Sequence, residues 1–204
     1  MKTLAEKPKA NIETLFYENF SNNNAGWEIV NSDSEAAVIT ENGYEIKNTD
    51  LDEWKRYTLF PNMDSKKNIR MRCTLEIIPG LSIGQIGIMW GFNEKHHQLN
   101  RFCISTSGSG CTIMHFEKNH RPVFYRFYDP FFSIGNTKEV AFEIREINNY
   151  FFFRINKQLV YIGHTSHFAD LGSGFGFYVD PGVAASVKKI KIDRAISNKV
   201  FSLN

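Results

Sequence analysis

Apolar and polar residues alternate along much of this chain, most densely across residues 138–162. Val140, Phe142 and Ile144 fall on one side of a period-two pattern, and Glu139, Glu143 and Arg145 on the other. Such alternation predicts a half-buried β-strand. Asn148-Asn149 interrupts it, and asparagine tolerates the left-handed backbone that tight hairpins need. Residues 150–155 predict a second strand, Asn156-Lys157 a second turn, and residues 158–162 a third strand. The three strands form a meander with almost no loop.

The pattern extends in both directions. Asn42-Gly43 predicts a hairpin between strands at 36–40 and 44–46. Ile69, Met71, Cys73, Leu75 and Ile77 form an apolar set, with Arg70, Arg72, Thr74 and Glu76 on the other side. In residues 84–92, Ile86, Ile88, Trp90 and Phe92 share one face, and Gln85, Gly87, Met89 and Gly91 the other. Glycine inside a strand signals tight packing, a bulge, or the floor of a shallow groove. Residues 99–105 and 111–117 predict a further hairpin, and residues 174–180 and 187–192 the last two strands. No segment reads as an amphipathic helix. The expected fold is all-β: a two-sheet antiparallel β-sandwich of jelly-roll type, with roughly thirteen strands. Residues 1–13 read as a flexible polar lead, 14–193 as a single sandwich domain, and 194–204 as a tail.

Length supports one domain: 204 residues suit a single large sandwich. Eighteen Phe, eight Tyr and three Trp suit half-buried pleated surfaces. The net charge of +2 supplies no long-range field, so nucleic acid is not an expected partner. No stretch approaches the ~20 apolar residues of a membrane helix, so no membrane partner is expected. The start of the chain lacks the apolar core of a signal peptide, which predicts a cytoplasmic protein unless the chain is a piece of an exported one.

Three cysteines cannot all pair. Cys73 reads as a small core residue. Cys103 and Cys111 flank the turn STSGSG. A turn symmetric about Ser107 places them opposite each other, which leaves a cross-strand disulfide open.

Several motifs occur in a telling order. Phe20-Ser21 is followed by Gly26-Trp27, then by Asn42-Gly43-Tyr44-Glu45-Ile46 and the strand GQIGIMWG from Gly84 to Gly91. Residues 100–105, NRFCIS, come next, then the meander with Ile155-Asn156-Lys157-Gln158 at its final hairpin. Phe168, Gly172 and Gly174-Phe175-Gly176-Phe177-Tyr178 close the series. This order resembles the concanavalin A-like lectin/glucanase superfamily, nearest to bacterial modules related to 3-keto-disaccharide hydrolase-like domains. The resemblance implies a jelly roll whose concave face carries a sugar site. An oligosaccharide is therefore the candidate partner.

Catalytic chemistry is less visible. Retaining glycosidases need two carboxylates about 5 Å apart. Glucanases of the superfamily carry Glu-x-Asp-x-Glu on one strand, which this sequence lacks. Glu139, Glu143 and Glu146 are spaced four and three apart, and the last two fall on opposite faces of a regular strand. His164-x-x-His167-x-x-Asp170 has chelating residue types but no further anchor, so no metal and no cofactor is expected. Residues 121–129, RPVFYRFYD, mix arginine with rings and form a candidate sugar-facing strand. The catalytic residues are unassigned. The candidate ligand-binding set is Met89, Arg101, His115, Arg154 and Tyr178, each off-core on a strand whose alternate residues are apolar. Three functions follow: a carbohydrate-recognition domain without catalysis, a glycoside or keto-sugar hydrolase, or an intracellular protein-interaction domain.

Overall fold

The computed structural model describes residues 12–50, 55–59, 68–79, 82–93, 98–116, 123–127, 138–168 and 172–195. These residues hold fifteen strands. The first seven are β1 (Ile12–Glu18), β2 (Val30–Asn31), β3 (Glu35–Thr40), β4 (Gly43–Asn48), β5 (Lys55–Leu59), β6 (Ile69–Ile78) and β7 (Gln85–Asn93). Then come β8 (Gln98–Ser105), β9 (Cys111–Phe116), β10 (Val123–Phe127), β11 (Glu139–Ile147), β12 (Tyr150–Ile155), β13 (Gln158–His164), β14 (Gly174–Val179) and β15 (Ala184–Ala195). One 3-10 turn, Thr165–His167, follows β13.

Two antiparallel sheets pack face to face. The nine-stranded sheet has the order β13-β12-β11-β6-β15-β4-β3-β2, with β1 also paired to β15. The six-stranded sheet has the order β10-β9-β8-β7-β14-β5. The expected all-β sandwich is therefore the observed fold. Met71, Leu75, Val140, Phe142 and Ile190 of the larger sheet meet Ile86, Ile88, Phe102 and Phe177 of the smaller in one buried core.

Rings fill both ends of that core. At one end the Trp27 and Phe177 rings stack with centroids 5.1 Å apart, beside Phe20 and Tyr44. At the other, Trp90 lies 5.5 Å from Phe153 and 5.8 Å from Phe168. Paired rings in these geometries add about 0.5–1.5 kcal/mol beyond the area they bury. Most of the described aromatic residues are thus inter-sheet filler.

Both meander turns form as the asparagines predict. Asn148 and Asn149 have φ of 51° and 65°, and Asn156 and Lys157 have 49° and 71°. Two consecutive positive φ values match the twist of the flanking strands.

Three expectations are corrected. Phe92 does not share a face with Trp90. Gly91 adopts φ 66°, the pairing with β8 shifts between Trp90 and Asn93, and the resulting bulge carries Phe92 to the side of Met89. Cys103 and Cys111 are not opposite each other: Cys103 pairs with Thr112, and Ile104 with Cys111. Gly110, at φ 77°, shifts the turn by one residue, which puts the two thiols on opposite faces of the sheet. All three cysteines are buried and free. The last strand is also longer than expected, running twelve residues from Ala184 to Ala195, with a register shift between Val187 and Lys189. This bulge lets Val187 and Ile190 both face the core. It also sets Lys189 and Lys191 on the outer face.

Candidate functional site

The five expected ligand residues fall in three places. Met89, Arg101 and Tyr178 lie together on the outer face of the six-stranded sheet. Gly176, Met89, Arg101 and Met114 form one cross-strand row, and Tyr178, Gly87, Cys103 and Thr112 the next. His115 lies on the other face of β9, with Ile113, turned toward the partner sheet. Its Nδ1 lies 3.0 Å from Asn100 Oδ1, and both residues are buried. Arg154 belongs to the nine-stranded sheet. The expectation of one face shared by all five is therefore corrected: alternation places a side chain within its strand but does not say which sheet the strand joins.

Over the described strands β7, β8 and β14, the outer face of the six-stranded sheet is buried. Met89 is 1% exposed, Cys103 2% and Tyr178 5%, and with Phe92 and Leu99 they form a second apolar cluster. The Arg101 guanidinium covers the Tyr178 ring at 4.0 Å, where a sugar ring would otherwise stack. The Tyr178 hydroxyl donates to Asp180 Oδ1 at 2.5 Å, and Asp180 Oδ2 accepts the Gln85 N–H at 2.6 Å. Burial pushes the Tyr178 phenol up, Arg101 pulls it down, and the bond to Asp180 adds to the rise. Outward positions on the described parts of β7, β8, β9 and β14 carry no Asp or Glu. The glycines here are not a groove floor. Gly87 is needed because a Cβ would lie 2.0 Å from the Phe102 carbonyl oxygen, and Gly91 makes the bulge.

The outer face of the nine-stranded sheet is open. It holds a groove of about 790 Å³ that spans β1, β15, β6, β11 and β12. Pairing fixes its rows. Arg154 lies across from Glu143, Glu143 from Arg72, Arg72 from Lys191, and Lys191 from Tyr17. In the next row Arg145 faces Arg70, Arg70 faces Asp193, and Asp193 faces Thr14. Neighbours within a row are about 4.8 Å apart, and rows about 7 Å apart along the strands.

Two carboxylates organise these cations. Glu143 accepts from Arg70 at 2.5 Å and from Arg154 at 3.1 Å. Asp193 binds Arg72 at 2.5 Å and Lys191 at 3.0 Å, and accepts the Thr14 hydroxyl at 3.0 Å. Burial alone would raise the Asp193 carboxyl, but Lys191, Arg72 and Thr14 together hold it below its ordinary value. Burial and the facing Arg70 lower the Arg145 guanidinium. Lys157, at the turn between β12 and β13, and Lys189 on β15 line the groove without an ion pair. Tyr17, 56% exposed, supplies an open ring at one end.

Sequence reading missed this groove except for Arg154. Arg70, Arg72, Lys189 and Lys191 read as an ordinary solvated side of their strands. The available signal was that the outward positions of three separate strands are basic; what gathers them is strand order, which the sequence does not state. Among the described residues no group of three His, Cys, Asp or Glu could hold a metal ion. His164 Nδ1 lies 2.7 Å from the Ser166 hydroxyl, and Asp170 lies outside the described residues. Of the stretch 121–129, only the backbone strand β10 is described. Among the described residues no helix is long and apolar enough to cross a membrane.

No family model matches the chain, and no curated protein matches it. Solved structures do. The carbohydrate-binding module CBM66 from Bacillus subtilis is 16% identical with a TM-score of 0.58, over 81% of this chain and 95% of that one. A Bacillus subtilis protein of unknown function with a galectin-like fold has a TM-score of 0.63 at 11% identity, over 92% and 98%. A Bacteroides ovatus mixed-linkage glucan GH16, in complex with a product, has a TM-score of 0.61 at 10% identity, over 87% and 99%. The chain shares the two-sheet jelly-roll fold of these proteins. At these identities the likeness carries the fold and nothing narrower.

Proposed function

We propose that this domain binds carbohydrate without cleaving it, and that the sugar lies in the groove on the outer face of the nine-stranded sheet. The observation that carries the reading is the groove itself. It is open and strand-floored, with an exposed Tyr17 ring at one end and guanidinium and ammonium groups set around Glu143 and the adjoining Asp193. A ring stacks on a sugar's apolar face, while Arg and carboxylate groups bond its hydroxyls. Likeness to a carbohydrate-binding module and to a galectin-like protein supports the class of ligand.

Hydrolysis fits the groove poorly. Glu143 and Asp193 stand two strands and one row apart, and each is already bonded to two cations. A general acid needs a raised pKa, whereas Asp193 is held low.

A panel of soluble oligo- and polysaccharides titrated against the full chain tests the reading. At least one glycan class is expected to bind, and Tyr17→Ala to weaken it about tenfold, the loss of ~1.4 kcal/mol. Binding to none of the panel, or binding that Tyr17→Ala leaves unchanged, rejects this site.

A further inference from the structure

We infer that the ligand of this groove is an acidic glycan, one whose sugars carry carboxylate or sulfate groups. This rests on the carbohydrate-binding reading above and adds the charge of the ligand. Among the described residues, seven cationic side chains line the groove against Glu143 and the adjoining Asp193, an excess of five positive charges. The chain as a whole carries only +2, so this patch concentrates more charge than the entire molecule nets.

The arrangement is more specific than the sum. Like charges directly opposite on a sheet are unfavourable, yet Arg70 faces Arg145, and Arg72 faces Lys191. Asp193 bridges Arg72 and Lys191, and Glu143 bridges Arg70 and Arg154, so each carboxylate spreads one negative charge over two cations. An oxyanion laid between the rows would add negative charge where the cations still outnumber the carboxylates. Guanidinium groups suit carboxylate and sulfate because the planar fork can bond two oxygens at once. Cross-strand spacing of about 4.8 Å sets cations at intervals roughly the length of one sugar unit, so a polymer charged on successive sugars can meet several in register.

Lys157 adds a second observation. It holds φ 71° at a hairpin position where Gly or Asn is unstrained, and it lines the groove. A lysine in the left-handed region costs about 1–2 kcal/mol. The chain carries that cost at a position where the side chain adds charge to the groove.

Nucleic acid is the weaker fit. Its affinity comes from an unbroken run of phosphates and from bases stacked on rings. Here two carboxylates interrupt the cations, and among the described residues lining the groove Tyr17 is the single exposed ring, Phe142 being buried. Sugar hydroxyls, by contrast, can use those carboxylates as acceptors.

The test is calorimetric titration of the full chain with polygalacturonate, dextran sulfate, laminarin and poly(dT), at about 50 and 200 mM salt. The double variant Lys157→Asn/Lys189→Gln accompanies it; both positions are exposed and outside ion pairs. Polygalacturonate or dextran sulfate is expected to bind, to weaken at higher salt, and to lose about tenfold in affinity in the double variant. Their order tells carboxylate from sulfate. Laminarin binding that is insensitive to salt and to the double variant overturns the acidic assignment while leaving carbohydrate binding intact. Tighter binding of poly(dT) than of either acidic glycan overturns it in favour of nucleic acid. No binding by any of the four overturns both this inference and the reading it rests on.

Discussion

The Cβ that Gly87 lacks would lie 2.0 Å from the carbonyl oxygen of Phe102 and 2.6 Å from the Cα of Cys103. Both are backbone atoms of β8, so no rotamer change could make room. Gly87 therefore sets how closely β7 approaches β8 in the middle of the six-stranded sheet. Gly87→Ala is expected to destabilise the domain by about 3 kcal/mol, at the upper end for overpacking, a fall of roughly 6–12 °C in Tm for a domain this size. Thermal denaturation followed by circular dichroism checks it. A loss under 2 °C would mean that β8 yields easily and that the close approach is not a constraint.

Asp193 ties the last strand to β1 through Thr14 and to β6 through Arg72, and also binds Lys191 of its own strand. Its folded pKa lies below the ordinary 3.8, so near that pH the unfolded chain binds more protons than the folded one. Stability then rises with pH through this window. The contribution is complete above 3.8 and is lost as pH falls through the folded pKa. Asp193→Asn should lower stability at pH 7 by about 1–2 kcal/mol, a charged bond discounted for half-exposed partners. It should also flatten the acid limb relative to the parent chain. Urea melts at neutral and acid pH measure both, and an unchanged acid slope in the variant would remove Asp193 from the account.

The strands were legible in the sequence because their cause is local. Val140, Phe142 and Ile144 must share a side if they share a strand, and two asparagines can turn a hairpin whatever surrounds them. What escaped were the single-residue insertions. Alternation alone sets Gly91 within a regular strand, but its bulge moves Phe92 to the other face. Gly110 does the same to the Cys103–Cys111 register. The groove escaped for a different reason. Arg70, Arg145 and Lys191 are brought together by the order β11-β6-β15, and that order depends on long-range packing. Met89, Arg101 and Tyr178 share one face of one sheet, as alternation predicts, but alternation does not show that their side chains are covered there.

Thiol chemistry follows from the corrected register. Burial pushes Cys103 and Cys111 up to about 12, and Cys73 higher still. The thiolate is the reactive form, so at pH 8 these thiols should be nearly inert. A colorimetric thiol reagent is expected to modify almost none in the folded protein and all three after denaturation without reductant. Two thiols missing from the denatured count would indicate a disulfide and contradict the register of β8 and β9.

Lys157 separates the cost of a residue from its use. Lys157→Asn keeps a side chain suited to φ 71° and removes one charge from the groove. Relief of left-handed strain should stabilise the domain by about 0.5–1 kcal/mol. Loss of the cation should weaken binding of an acidic glycan by a few-fold, as expected for an exposed charge at a binding rim. The two readouts move in opposite directions, which a purely structural role cannot produce. If lysine at this turn were simply tolerated, the variant would gain stability and bind as before. If instead Lys157 were needed for the hairpin, stability and affinity would fall together. Only a rise in Tm alongside a fall in affinity fits a turn residue kept for its charge, and both can be measured on one protein preparation.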